Sequence, residues 1–139
     1  RASFDAGAAF TRASVGNVHA IAHTLGGLYG TAHGLANAVL LPIVLEDYGA
    51  AVYPRLARLA ELAGLAGGTE EARAKAFIAE IRAMNARMGI PGRLDCIRTE
   101  DIPQMAQWAA AEANPVYPVP VIYGKDRFAR VIERARTGS

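Results

Sequence analysis

The sequence predicts an all-α fold on the strength of its alanines, its shortage of strand formers and its helical periodicity. Alanine accounts for 29 of the 139 residues; it is the best helix former, and its small side chain lets helices pack closely. Nine valines and a 7% aromatic share leave little material for strands. Apolar residues also recur at spacings of three and four, the period of a half-buried helix. A chain of this length buries roughly 68% of its unfolded surface. It therefore needs no disulfide framework, and the single Cys96 allows none within the chain. One cysteine suits a reducing compartment, so a cytoplasmic location is expected. Fifteen basic against 13 acidic residues, without clustering, argue against a nucleic-acid partner. No signal peptide is legible, and the start at Arg1 rather than Met leads us to expect a piece of a longer chain.

The longest apolar run, Leu35 to Leu45, is interrupted by Asn37 and Pro42. It falls well short of the ~20 residues that cross a bilayer. It reads as a buried helix kinked at Pro42, where a backbone hydrogen bond is lost. From Arg55 to Leu65 the pattern RLARLAELAGL puts Leu56, Leu59, Ala60 and Ala63 on one face of an amphipathic helix that ends at Gly64. After Gly67-Gly68, Thr69 is a suitable cap for a new helix, with Glu70 and Glu71 at the positive end of its dipole. The expected core face of that helix is Phe77, Ile81, Met84 and Met88, and Gly89 and Pro91 stop it. A further helix fits Asp101 to Ala113, with Met105 and Trp108 inward and Pro103 in the first turn. Asn114 to Gly124 holds three prolines and reads as extended, because a residue before proline is pushed out of the helical region. A last helix, Lys125 to Arg136, turns Phe128, Val131, Ile132 and Ala135 inward.

All three histidines, His19, His23 and His33, fall within HAIAHTLGGLYGTAH. Neutral imidazole is the commonest metal ligand, and ligands must converge. His19 and His23 are i and i+4, which places their Cβ atoms ~5–6 Å apart on one helix face. The glutamate of a zinc-protease HExxH is replaced by Ala20, so that pair brings no general base. On a continuous helix His33 would lie ~21 Å from His19 along the axis. Gly26, Gly27 and Gly30 permit a turn that returns it without requiring one. Both pairings stay open on spacing alone. Glu46 and Asp47 read as polar residues at a helix end, Cys96 as a small, partly buried hydrophobe, and Trp108 as core. Asn37, inside an apolar helix, either ties down a loop or faces the site.

The segment GAAFTRASVGNVHAIAHTLGGLYGTAHGLANAVLLP resembles the signature of the iron-containing (group III) alcohol dehydrogenases: two histidines four apart, a glycine-bearing turn, then HGxxNAxxLP. The matching residues are His19, His23, Leu25-Gly26, His33-Gly34, Asn37-Ala38 and Leu41-Pro42. DIPQMAQWA and Asn114-Pro115 follow in the family's order. The resemblance implies that residues 1–139 form the later part of that family's multi-helix C-terminal domain, truncated on its N-terminal side, without the Rossmann-like dinucleotide domain. By motif position His19 and His33 resemble the two metal ligands. His23 resembles the histidine beside the nicotinamide, where a catalytic proton relay and simple shaping of the pocket are both open, and Phe10 resembles an aromatic that lines the nicotinamide and substrate pocket. A plain core role for Phe10 is the competing reading.

The implied cofactors are Fe(II), with zinc or another divalent metal as substitutes, and NAD or NADP. The implied reaction is hydride transfer between an alcohol or aldehyde and nicotinamide, with the metal as Lewis acid. The family's other two metal ligands, an Asp and a His on an earlier helix, would lie before Arg1. The isolated chain is therefore expected to be inactive and to bind metal weakly. Homo-oligomerisation is expected, with neither membrane nor nucleic acid as partner. Two other readings remain: a non-catalytic helical self-association module, and a metal-free family member.

Overall fold

In the computed structural model, residues 16–65, 68–113 and 121–137 are described. They form six α-helices: α1 Gly16–Tyr29, α2 His33–Tyr48, α3 Tyr53–Leu62, α4 Glu70–Arg87, α5 Ile102–Ala113 and α6 Lys125–Ala135. Short 3-10 turns occupy Gly49–Val52 and Thr99–Asp101. Among the described residues there is no strand. One isolated parallel bridge joins Leu94 to Arg136, with Leu94 N–H donating to the Ala135 carbonyl at 2.7 Å.

Helix α2 is the centre of the bundle. It packs on α1, α4 and α6, while α1 also packs on α5, α5 on α6, and α3 on α4. Its near-continuous apolar sequence follows from that position, since Ala36, Val39, Leu40, Ile43, Val44 and Leu45 are all buried. The helical path His33–Leu62 is long and apolar enough, by length and composition, to cross a membrane. Half of its most apolar window is buried inside the fold, which gives a core helix the same composition. α2 runs on through Pro42. Proline offers no N–H to the carbonyl four residues back, and that carbonyl, on Ala38, accepts instead from the Asn85 side chain of α4 at 2.8 Å.

The local signals act where the sequence puts them. The Thr69 hydroxyl accepts from Ala72 N–H at 3.1 Å and caps α4. Gly64, at φ +78°, ends α3 in a Schellman arrangement: Leu65 N–H donates to the Ala60 carbonyl and Gly64 N–H to that of Glu61. Gly89, at φ +75°, closes α4 in the same way. In α6, Phe128, Val131, Ile132 and Ala135 are all buried, as the pattern predicts.

Three helix faces differ from expectation. On α3, Leu56, Leu59 and Ala60 are buried as predicted, but Ala57 joins them while Ala63, at the C-cap, is exposed. On α4 the buried residues are Ala74 and Ile78, with Phe77 and Ile81 packed beside them, while Met84 and Met88 are exposed. The core-facing stripe of α4 is set by contact with α2 and α3, and its last turn meets α2 through Asn85 rather than through the two methionines. On α5, Met105 is buried but Trp108 is 46% exposed; Ala106 and Ala109 take the inward positions instead. Small residues there let α5 approach α1 and α6 closely. The segment 114–120, read as extended, lies outside the described residues.

A polar network ties the C-terminal end of α2 to α6. Asp47 accepts from the Tyr123 hydroxyl at 2.5 Å and from Arg127 Nε at 2.8 Å, and the Arg127 guanidinium sits 4.9 Å from the Tyr123 ring centre. The neighbouring Glu46 pairs with Arg82 of α4 and Arg134 of α6. Hydrogen bonding from Arg82 above all, with the charges of both arginines, holds its carboxyl below the ordinary carboxylate range. Both acids thus act as polar residues at a helix end, as read from the sequence.

Candidate functional site

His19 and His23 stand one turn apart on α1, and His33 opens α2. The break between the two helices is Gly30–Ala32. Gly30 adopts φ +66°, a left-handed conformation that L side chains resist, and its N–H donates to the Gly26 carbonyl at 3.1 Å. That αL cap ends α1 and lets α2 fold back against it. Of the three glycines that permit a turn, Gly30 makes it, whereas Gly26 and Gly27 remain within α1.

The fold brings all three imidazoles together. Ring centroids are 5.3 Å apart for His19 and His33, 5.9 Å for His23 and His33, and 6.2 Å for His19 and His23. An ion held by two imidazole nitrogens at ~2.1 Å separates the ring centres by about 5 Å. The His19–His33 pair, from two different helices, has that separation. Among the described residues, however, no group of three or more His, Cys, Asp or Glu side chains is arranged to hold an ion. The pair therefore fits as part of a ligand shell. His19 is half-buried, while His23 and His33 are exposed along a glycine-bearing edge with Leu28 and Gly34. Phe10 lies outside the described residues. Asn37 follows His33 by one turn, and its amide oxygen is buried with no hydrogen-bond partner among the described residues.

One residue of the arrangement was not singled out from the sequence. Glu112 of α5 meets His23, with Oε2 2.7 Å from the ring Nδ1. Its signal was present, since Glu112 is the only charged residue in IPQMAQWAAAEA, but only the packing of α5 on α1 connects it to a histidine 89 residues away. Trp108, one turn earlier on α5, shares its face. An open cleft of about 380 Å³ between α3 and α4, lined by Pro54, Ala57, Arg58, Glu61, Glu70 and Arg73, includes none of these groups.

The sequence model of the Fe-containing alcohol dehydrogenase family, C-terminal, matches residues 1–135. The chain is 42% identical over 117 residues to 1,3-propanediol dehydrogenase of Klebsiella pneumoniae, covering 81% of this chain and 30% of that protein. It is 40% identical over 109 residues to lactaldehyde reductase of Escherichia coli (strain K12), covering 75% and 28%. Among solved structures, it resembles a crystal structure of 1,3-propanediol oxidoreductase with a TM-score of 0.79 and 36% identity, over 86% of this chain and 32% of that one. The chain thus spans about 30% of the length of the curated relatives it matches.

Proposed function

Since the chain belongs to the Fe-containing alcohol dehydrogenase family, within its C-terminal domain, we propose that it is the metal-binding part of an NAD(P)-dependent enzyme that interconverts small alcohols and aldehydes. The relatives' names, propanediol dehydrogenase and lactaldehyde reductase, support short hydroxylated substrates. The observation that carries the reading is the approach of His19 and His33 to 5.3 Å across two helices. Their neutral imidazoles would hold Fe(II) or another divalent ion, with the rest of the shell supplied from outside the described residues. When bound, the ion supplies Lewis-acid polarisation of the substrate oxygen, and the nicotinamide gives or takes the hydride.

The residues of this chain set the stage for that exchange. α1 and α2 each hold one of the two rings, and their packing against α4, α5 and α6 keeps the separation fixed. His23, beside both, would accept the substrate proton or return it, and the motif position of Phe10 supports a place for it in the nicotinamide pocket. The assembled protein works as a homo-oligomer in a reducing cytoplasm, where Cys96 stays a free thiol.

With two candidate ligands among the described residues, the isolated chain is expected to bind metal weakly and not to turn over alcohols. Calorimetric titration of Fe(II) or Zn(II) into this chain checks that: weak binding that disappears in His19→Ala and His33→Ala supports the reading, and tight 1:1 binding refutes it. In the full-length protein, His23→Ala with undiminished turnover and an unchanged pH profile would remove the proton role. Sedimentation of the chain separates the dehydrogenase part from a self-association module, which oligomerises tightly without the rest of the enzyme.

A further inference from the structure

We propose that Glu112 is a positioning residue for His23, fixing the imidazole in the tautomer that carries its proton on Nδ1 and leaving Nε2 as the free acceptor. The geometry is specific. The carboxylate Oε2 lies 2.7 Å from Nδ1 across the α1–α5 contact. An ionised carboxylate only accepts, so the bond exists only when Nδ1 carries the hydrogen. Free neutral histidine favours the opposite tautomer, with the hydrogen on Nε2, so keeping this contact in the neutral ring requires the less common form. It has done so at one of three clustered histidines and with the only charge on an otherwise uncharged helix.

The side chains are 49% and 33% exposed. An exposed ion pair contributes little to stability, so stabilising the fold is a poor account of the contact between Glu112 and His23. What a carboxylate on one ring nitrogen does well is to orient the ring and define which nitrogen is left for chemistry. Where His23 exchanges a proton with substrate, a step that rests on the dehydrogenase reading above, Glu112 ensures that Nε2 is the atom that accepts it.

The test is made on the metal-free 139-residue chain labelled with ¹⁵N-histidine, by long-range ¹H–¹⁵N correlation at a pH where the imidazoles are neutral. His23 is expected as the Nδ1–H tautomer. Glu112→Ala moves it to predominantly Nε2–H. Glu112→Gln, whose amide carbonyl also accepts from Nδ1–H, keeps the parent tautomer. An Nε2–H signature for His23 in the parent chain overturns the proposal, and so does an Nδ1–H signature that survives Glu112→Ala. The parent spectrum alone decides the first point, whether or not a variant folds. A second arm uses the full-length enzyme loaded with metal and nicotinamide, where Glu112→Ala lowers kcat about tenfold with KM within twofold. A tautomer shift without a kcat effect leaves the positioning intact and removes the proton role of His23, so the two failures are distinguishable.

Discussion

The Asn85 side chain donates to the Ala38 carbonyl at 2.8 Å, and that carbonyl is the one Pro42 leaves without a backbone donor. A break inside the central helix is thereby mended from α4, which also fixes how α4 lies against α2. Asn85→Ala is expected to cost about 1–2 kcal/mol, because it leaves a half-buried acceptor unpaired. The Pro42→Ala background restores an N–H four residues after Ala38, so the same substitution there costs less. A double-mutant cycle in urea denaturation checks it: additive effects would show that Asn85 does not compensate for Pro42.

The turn that joins His19 to His33 depends on one glycine. Gly30 sits at φ +66° with open space where a Cβ would be, so only backbone strain opposes a side chain there. Gly30→Ala is expected to destabilise by about 1–2 kcal/mol. Gly27 lies within α1, equally open, at an ordinary helical conformation. Gly27→Ala is expected to stabilise by up to about 1 kcal/mol through helix propensity and a less flexible unfolded chain. Thermal denaturation of the two variants should move in opposite directions.

Tyr48 gives the fold an alkaline limit. Burial, its largest influence, pushes the hydroxyl up to about 12, against the lowering effect of the hydrogen bond from Asn17 at 3.0 Å. A group whose folded value exceeds its unfolded 10.0 contributes stability that is complete below 10.0 and is lost as pH rises toward 12. The linked loss for Tyr48 is on the order of 2–3 kcal/mol. Burial also raises Tyr123, and its hydrogen bond to Asp47 adds to the effect. Urea denaturation from pH 8 to about 11.5 should show stability falling above pH 10. Tyr48→Phe should make that limb shallower, while losing about 1 kcal/mol at neutral pH with the Asn17 hydrogen bond.

The sequence was most legible where structure is local. The Thr69 cap, the Gly64 and Gly89 stops and the inward face of α6 follow from single residues and their immediate neighbours. The convergence of the histidines was only half legible: glycines marked a turn, but that Gly30 alone makes it depends on α2 docking on α1. The Glu112–His23 and Asn85–Ala38 contacts join residues 89 and 47 positions apart, and no periodicity within one helix encodes such pairs. The misplaced faces have the same origin. Met84, Met88 and Trp108 lie at core-like spacings, yet burial depends on what stands opposite, and alanines at 106 and 109 take the space on α5.

That exchange of roles on α5 is itself measurable. Met105 is fully buried where α5 meets α1, with the Tyr29 hydroxyl 3.9 Å from its sulfur, whereas Trp108 leaves 46% of its surface in solvent. Residue size alone would make the tryptophan the costlier loss. Burial reverses the order, because removing a side chain from a packed core forfeits transfer free energy and opens a cavity, and an exposed site refills with water. Met105→Ala is therefore expected to destabilise by about 2–4 kcal/mol and Trp108→Ala by about 1 kcal/mol or less. Chemical denaturation of the two variants decides it. A larger loss for Trp108→Ala would mean that the α5 face is covered, and that the helix packs with its tryptophan side inward.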